Sequence, residues 1–491
     1  MTYRFFSLSL RIILKYDPYY LISYMKKAVT LAVVVCLGAF GSYMVYHEAQ
    51  EYKAAEAAAA EAALPDWYET DSSKAIARRT AADFSLSRLE ILEAIQRQHP
   101  EVTDADLDTF VARHYVEAMT IDGEERFHRK SPRNLNLLNP EYASKESRGD
   151  AATQNRYAYV DSVLSFYRGK NNKGLSHRVK YRFSVDVPGH ELYTGDSLRV
   201  WMPVPLGNPD GGRQRNVSII SSLPQEYILS DGRSVHNTIY FTAAAPAPGD
   251  TAHFEYVGEF ETSGRYFPYE EIASAIKPYD KSGDLYRRYT SFESPHIVRL
   301  DSLALAIVGS ETDPIKQSEL VYDYIDSQFP WAGAREYSTI PCIPQYVMTE
   351  RHGDCGQVSL LYISLMRTLG VPARWESGWM LHPGETNLHD WAEVYFEGIG
   401  WVPVDTSFGR YKGADDPEIV NFYSHGIDAH RFASNTGVCG PLYPAKRFVR
   451  SETVDFQVGE VETTKANLFY PAWSSDLEII SIEPVTVEAK K

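Results

Sequence analysis

The feature that most restricts this chain is a helix that opens on a cysteine. Arg351-His352-Gly353-Asp354-Cys355-Gly356-Gln357 leads into the apolar positions Val358, Leu361, Tyr362, Leu365 and Leu369. Their spacing by threes and fours gives one buried helical face. Gly370 and Pro372 follow in the order in which helices stop. Cys355 therefore falls at or just before the first turn, where unpaired backbone N–H groups and the macrodipole favour an anion. A thiolate is such an anion. The position predicts a thiol pKa lowered towards neutrality, and N–H groups ready for the oxyanion that forms when sulfur attacks a carbonyl. Asp354 reads as the cap of this helix rather than an acid catalyst.

Two downstream residues complete a constellation: His389 in Asn387-Leu388-His389-Asp390-Trp391, and Asp405 in Trp401-Val402-Pro403-Val404-Asp405. Cys355 fits a nucleophile, His389 a general base and later acid, and Asp405 the group that orients the imidazole. Four stretches now arrive in order: Gly353-Asp354-Cys355; Gly370-Val371-Pro372-Ala373-Arg374; His389-Asp390-Trp391-Ala392-Glu393-Val394-Tyr395; and Gly400-Trp401-Val402-Pro403-Val404-Asp405. Together they resemble the core of the transglutaminase-like superfamily, from about residue 300 to 410. The resemblance implies a cysteine, histidine and aspartate triad on a papain-like α+β core, with helices packed on an antiparallel sheet and a β-domain ahead of it.

Each residue also has a blander reading. Cys355 alone would be a small buried hydrophobe, and His389 a satisfied core histidine. Trp375, Trp379 and Trp391 either wall a substrate groove or pack in the core. Gln345 is the candidate for a second oxyanion donor. A zinc site from His352, Cys355, His389 and Asp405 lacks a second close ligand pair. The animal cross-linking enzymes of the family use calcium, but no acidic loop here resembles an EF-hand. No cofactor and no metal are expected.

The third triad member carries a geometric difficulty. Residues 389–396 and 401–405 read as a hairpin with its turn near Ile399, which would set Asp405 opposite Ala392 or Glu393, about 10 Å along the strand from His389. A turn centred nearer Glu397, or a bulge, would bring the two together, and Pro403 suits a bulge or an edge strand. Asp390 is the rival, but neighbours on a strand point to opposite faces, so it should aim away from His389.

A length of 491 residues implies two or three domains, and 44% hydrophobic with 13% aromatic residues is the composition of a core-forming chain. The net charge of −16 argues against nucleic acid as a partner; the resemblance implies a protein or peptide substrate. Of the four cysteines, Cys36 lies in a hydrophobic leader. In an oxidising compartment Cys342 and Cys439 could pair, leaving Cys355 free; three unpaired thiols are the alternative.

Along the chain, residues 1–46 read as a leader or membrane anchor. Met25-Lys26-Lys27 precedes the apolar run Ala28–Phe40, which suggests a true start at Met25 and cleavage after Gly41. The apolar character continues to Tyr46, about nineteen residues, enough for an uncleaved anchor. Lipid attachment at Cys36 is disfavoured by the preceding valines. Each version places the rest outside the cytoplasm. Residues 47–83 read as a spacer, rich in alanine and glutamate, and 84–174 as a helical segment with a hairpin broken at His99-Pro100. Residues 175–262 alternate as a β-sandwich-like domain, and 263–491 read as the catalytic core with a C-terminal extension belonging to it. The function expected is an extracytoplasmic thiol enzyme that cleaves or transfers peptide or isopeptide amide acyl groups through an acyl-enzyme, with hydrolysis ahead. A cross-linking transglutaminase, or a non-catalytic surface scaffold, is the alternative.

Overall fold

The computed structural model describes residues 65, 67–143, 150–169, 175–207, 212–411, 413–470 and 472–485. The leader and the sequence up to Leu64 lie outside them. Among the described residues no helix is long and apolar enough to cross a membrane.

The second half of the stretch expected to be a spacer is built into the molecule. Tyr68–Glu69 pairs with Asn467–Leu468, and helix α1 (Ser72–Asp83) is capped by Asp71. Arg79 of α1 is buried, donates to the Ser451 carbonyl and pairs with Glu336 at 2.5 Å. Helices α2 (Arg88–Gln96) and α3 (Asp104–Ala112) each open on a capping box, Ser87 with Glu90 and Thr103 with Asp106. They bury Ile91, Ile95, Leu107 and Phe110 together as the expected hairpin, although Leu89 is exposed. Helix α4 (Ser131–Leu138) follows. Helix α5 (Asp150–Tyr167) packs Val160, Val163 and Leu164 against Tyr266 and Phe422.

Strands β1 (Ser176–Pro188), β2 (Ser197–Pro203), β3 (Gln214–Leu223), β4 (Thr238–Ala244) and β5 (Thr251–Ser263) build two antiparallel sheets. Val179, Tyr181, Phe183, Val185 and Val187 all point inwards from β1, as the alternation requires. The sheets meet through aromatic rings, Phe241 of β4 lying 6.2 Å from Phe254 of β5.

The core adds helices α6 (Asp301–Val308), α7 (Pro314–Gln328), α8 (Ile343–Glu350) and α9 (Cys355–Thr368). Asp313 caps α7 and Pro314 takes its first position, as expected. Every residue of α9 from Gly356 to Met366 is buried. Its support is an antiparallel sheet of β6 (Ala373–Met380), β7 (Asn387–Phe396), β8 (Gly400–Val404) and β9 (Arg431–Asn435), in the order β8-β7-β6-β9. Pro403 lies in the edge strand β8, where a missing N–H costs nothing. The fold is α+β, helices on an antiparallel sheet with a two-sheet β region ahead.

The tail departs from the expectation that it belongs to the core. Strand β10 (Glu460–Glu462) pairs with β2, and β11 (Ser474–Val485) pairs with β1 along its whole length. Alternating apolar residues announce a strand but not which edge it joins. Cys342, Cys355 and Cys439 are free thiols, so the Cys342–Cys439 pairing does not form.

Candidate active site

Asp354 caps α9 by accepting the Gln357 N–H at 3.1 Å, while the Gln357 side chain accepts the Asp354 N–H at 3.1 Å. Cys355 is thereby fixed as the first helical residue. Gly356 follows it for a steric reason: a methyl group there would lie 2.6 Å from Asp390 Oδ2 and 2.8 Å from the Trp375 ring. The strand below can thus press against the start of the helix.

The hairpin difficulty resolves through its register. Phe396 pairs with Gly400 and Ala392 with Val404, so the turn is centred on Gly398. Gly398 has φ +92° and no room for a side chain beside Ala275. Strand β8 ends at Val404, and the Asp405 N–H turns away to the Tyr423 carbonyl at 2.8 Å. Released from the ladder, the Asp405 side chain reaches along β7, and His389 Nε2–H donates to Asp405 Oδ2 at 2.7 Å. The imidazole stacks on Phe408, ring centroids 4.7 Å apart. Arg431 Nη1 stands 3.0 Å from the same Asp405 oxygen. Burial would raise the Asp405 pKa, but the positive charges of His389 and Arg431 outweigh it and bring it down to about 2. Burial lowers the pKa of His389 against the pull of Asp405. At neutral pH the pair is therefore carboxylate and neutral imidazole, with Nε2 protonated and Nδ1 bare.

Cys355 meets the other face of β7. Its Sγ–H donates to Asp390 Oδ2 at 3.3 Å. Asp390 Oδ1 accepts from Gln457 Nε2 at 2.7 Å, and Tyr337 Oη–H donates to Asp354 Oδ1 at 2.5 Å. No hydrogen bond joins Cys355 to His389 among the described residues, so the structure brings His389 and Asp405 together and leaves the thiol on Asp390. The thiol pKa lies well above its usual value, through burial first and then the charges of Asp390 and Asp354. This reverses the expected lowering, because the helix terminus acts here against desolvation and two carboxyls. Asp390 is itself raised well above the carboxylate range by burial, Asp455 and Asp354.

Other expected residues fall elsewhere. Gln345 is exposed on α8. Trp375 and Trp391 are core residues, and Trp379 donates to the Gln457 carbonyl at 3.0 Å. His352 faces Glu117, 3.7 Å away, so the four residues weighed for zinc do not converge. Sequence reasoning missed Tyr337, Phe408, Asp428, Arg431 and Gln457, none of which carries a motif. It also missed Trp331 and Phe329, which with Gly353, Val358, Thr406 and Phe408 line a cavity of about 430 Å3. Phe408, which stacks on His389, lines this cavity together with Thr406, the residue after Asp405.

A helix that opens on a cysteine, laid across an antiparallel sheet carrying a buried histidine–aspartate pair, defines the papain-like class of α+β cores. Residues 301–406 match the transglutaminase-like superfamily. A stretch of 149 residues, 26% of this chain, is 26% identical to the uncharacterised protein YebA of Bacillus subtilis and covers 20% of that protein. The chain thus spans about a fifth of that relative. An uncharacterised protein of Haemophilus influenzae is 23% identical over 316 residues, 55% of this chain and 83% of that protein. Among solved structures, a candidate cysteine protease from Cytophaga hutchinsonii overlaps 65% of this chain and 95% of its own, at 15% identity and a TM-score of 0.41. The periplasmic domain of TgpA from Pseudomonas aeruginosa overlaps 51% and 91%, at 13% identity and a TM-score of 0.26.

Proposed function

We propose that this chain is an extracytoplasmic thiol enzyme that cleaves peptide or isopeptide amides through Cys355, His389 and Asp405. The observation that supports this reading most is the 2.7 Å pairing of a buried imidazole with an ionised carboxylate, on the strand beneath the helix that Cys355 opens. The extracytoplasmic location rests on Met25-Lys26-Lys27 and the apolar run after it.

Attack requires the thiol to leave Asp390 and come within reach of His389, which the strand aims from its other face, before Sγ gives its proton to Nδ1. The thiolate adds to the amide carbonyl, and the Cys355 N–H receives the oxyanion. The C–N bond breaks as His389 returns the proton to the leaving amine, leaving a thioester. Water then adds with His389 again taking the proton, and the carboxylic acid departs. A lysine amine in place of water would make the product a cross-link. Asp405 keeps Nε2 protonated and stabilises the imidazolium throughout.

A second reading is favoured by one observation: the thiol donates to Asp390 rather than to His389, as in a non-catalytic scaffold. Incubation with a mixed protein substrate, followed by analysis of released peptides and amines, separates the two. The enzyme reading expects release by the wild type and none by a folded Cys355→Ala variant. Equal release by both would sink the nucleophile assignment. Rapid modification of Cys355 by iodoacetamide at neutral pH supports a poised thiol, whereas inertness supports the scaffold.

A further inference from the structure

Beyond the three residues of that reading, one buried cation shares the oxygen on which the imidazole depends. Arg431 opens β9, and its side chain is wholly buried. Its Nη1 lies 3.0 Å from Asp405 Oδ2, the oxygen that accepts the His389 proton, and its Nη2 lies 2.8 Å from Asp428 Oδ2. The guanidinium is seated over the rings of Phe408 and Trp391, 5.0 and 5.2 Å from their centroids. Phe408 is also the ring that stacks on His389. Asp428 is held in turn by the His430 N–H at 2.8 Å and the Tyr423 hydroxyl at 3.2 Å, with His382 Nε2 at 3.2 Å.

A buried guanidinium carries a large desolvation cost unless its donors meet carboxylates in good geometry. Here it hydrogen-bonds one, Asp428, and stands in ion-pair range of a second, the aspartate paired with His389, without a hydrogen bond to it. Asp405 alone could swing on its Cβ and present either oxygen to the imidazole. With Ser407 donating to Oδ1 at 3.0 Å and Arg431 beside Oδ2, the carboxylate is clamped from both sides.

We propose that Arg431, anchored by Asp428, is a positioning residue for His389: it fixes the Asp405 oxygen that orients the imidazole. The inference rests on the thiol-enzyme reading for its catalytic meaning but not for its electrostatics. The charged and titratable groups facing this pair from the surrounding elements are Asp405, Tyr423 and Asp428, His382 and His430, His177 of β1, and Arg156 of α5 above Phe408. The balance predicts opposite signs for two substitutions. Arg431→Gln removes a cation and leaves Asp405 Oδ2 to the imidazole, so the His389 pKa rises. Asp428→Asn strips Arg431 of its counter-ion, so the His389 pKa falls. A loosened, wetter pocket would instead raise it towards the ordinary histidine value, because burial is what lowers it.

The test is imidazole nitrogen NMR of the histidine-labelled full chain across pH, with His389 assigned through His389→Gln. The expected result is a rise of about one unit for Arg431→Gln and a comparable fall for Asp428→Asn, with Arg431→Lys close to wild type. Should Arg431→Gln fail to fold, Asp428→Asn decides alone, since its sign is the reverse of that from general loosening. An unmoved or raised His389 pKa in Asp428→Asn overturns the proposal. Peptide release measured on the same wild-type sample keeps the two ideas apart. Shifts without Cys355-dependent release leave the positioning intact and sink the enzyme, and release without shifts does the reverse.

Discussion

The two faces of strand β7 lie one residue apart in sequence and present opposite electrostatic worlds. On the face towards β9 and the β-sheets ahead of the core, each carboxylate has a cation: Asp405 and Asp428 share Arg431, Glu376 has Arg213 at 2.6 Å, and Glu393 pairs with Arg374. On the face towards α9, Asp354 and Asp390 lie beside Cys355 and Asp455 beside Asp390, and none of the three makes an ion pair within 4 Å among the described residues. Burial is similar on both sides, so the difference lies in the partners. It drives Asp405 down and Asp390 up. Being buried decides that a carboxyl is perturbed; its neighbour decides in which direction.

The comparison breaks most visibly in turnover. Asp405→Asn should lower peptide release by about 10^3- to 10^4-fold, because an amide neither stabilises an imidazolium nor fixes its tautomer. Asp390→Asn, on the other face, should cost far less, and similar losses from both would show that the two faces are not functionally distinct. A smaller effect appears in stability. The Asp405 pKa falls from 3.8 to about 2 on folding, so its contribution of about 2 kcal/mol is present above pH 4 and lost as pH falls towards 2. Urea unfolding between pH 2 and 5 should show that loss in the wild type and not in Asp405→Asn. Asp390, raised on folding, acts with the opposite sign, favouring the fold at low pH and losing that contribution as pH rises. The smallest effect concerns the thiol. Asp390→Asn removes a group that holds the Cys355 proton, so iodoacetamide should modify Cys355 about tenfold faster at pH 8; an unchanged rate would mean that burial alone governs the sulfur.

How much of this was legible beforehand follows from what each signal encodes. The Asp354 cap, the α9 stripe and the order of Cys355, His389 and Asp405 are local, and all were readable from spacing. The clash foreseen between the hairpin register and the His389–Asp405 contact was real, and one residue decided it: the turn sits on Gly398, not Ile399. The opposite aim of Asp390 and His389 was also foreseen, from the pleat of the strand. What the pleat does not say is which face a helix will cover, so nothing in the residue order marks Asp390 as the one to meet Cys355. Arg431 and Gln457 arrive from distant turns of the chain, and only tertiary pairing brings them in. The tail failed for the same reason, since its strands found partners more than half the chain away.

That last pairing governs how the protein can be made. Val485 lies opposite Ser176, and Ser474 opposite Asp186. Strand β1 therefore waits on the ribosome for one of its two neighbours until nearly all of the core between them has been synthesised. Contacts so remote in sequence close slowly. Meanwhile the open flank of β1 is a free edge on which other nascent chains can pair. A chain cut short near residue 470 would keep every residue of the candidate site and still be left with that adhesive edge.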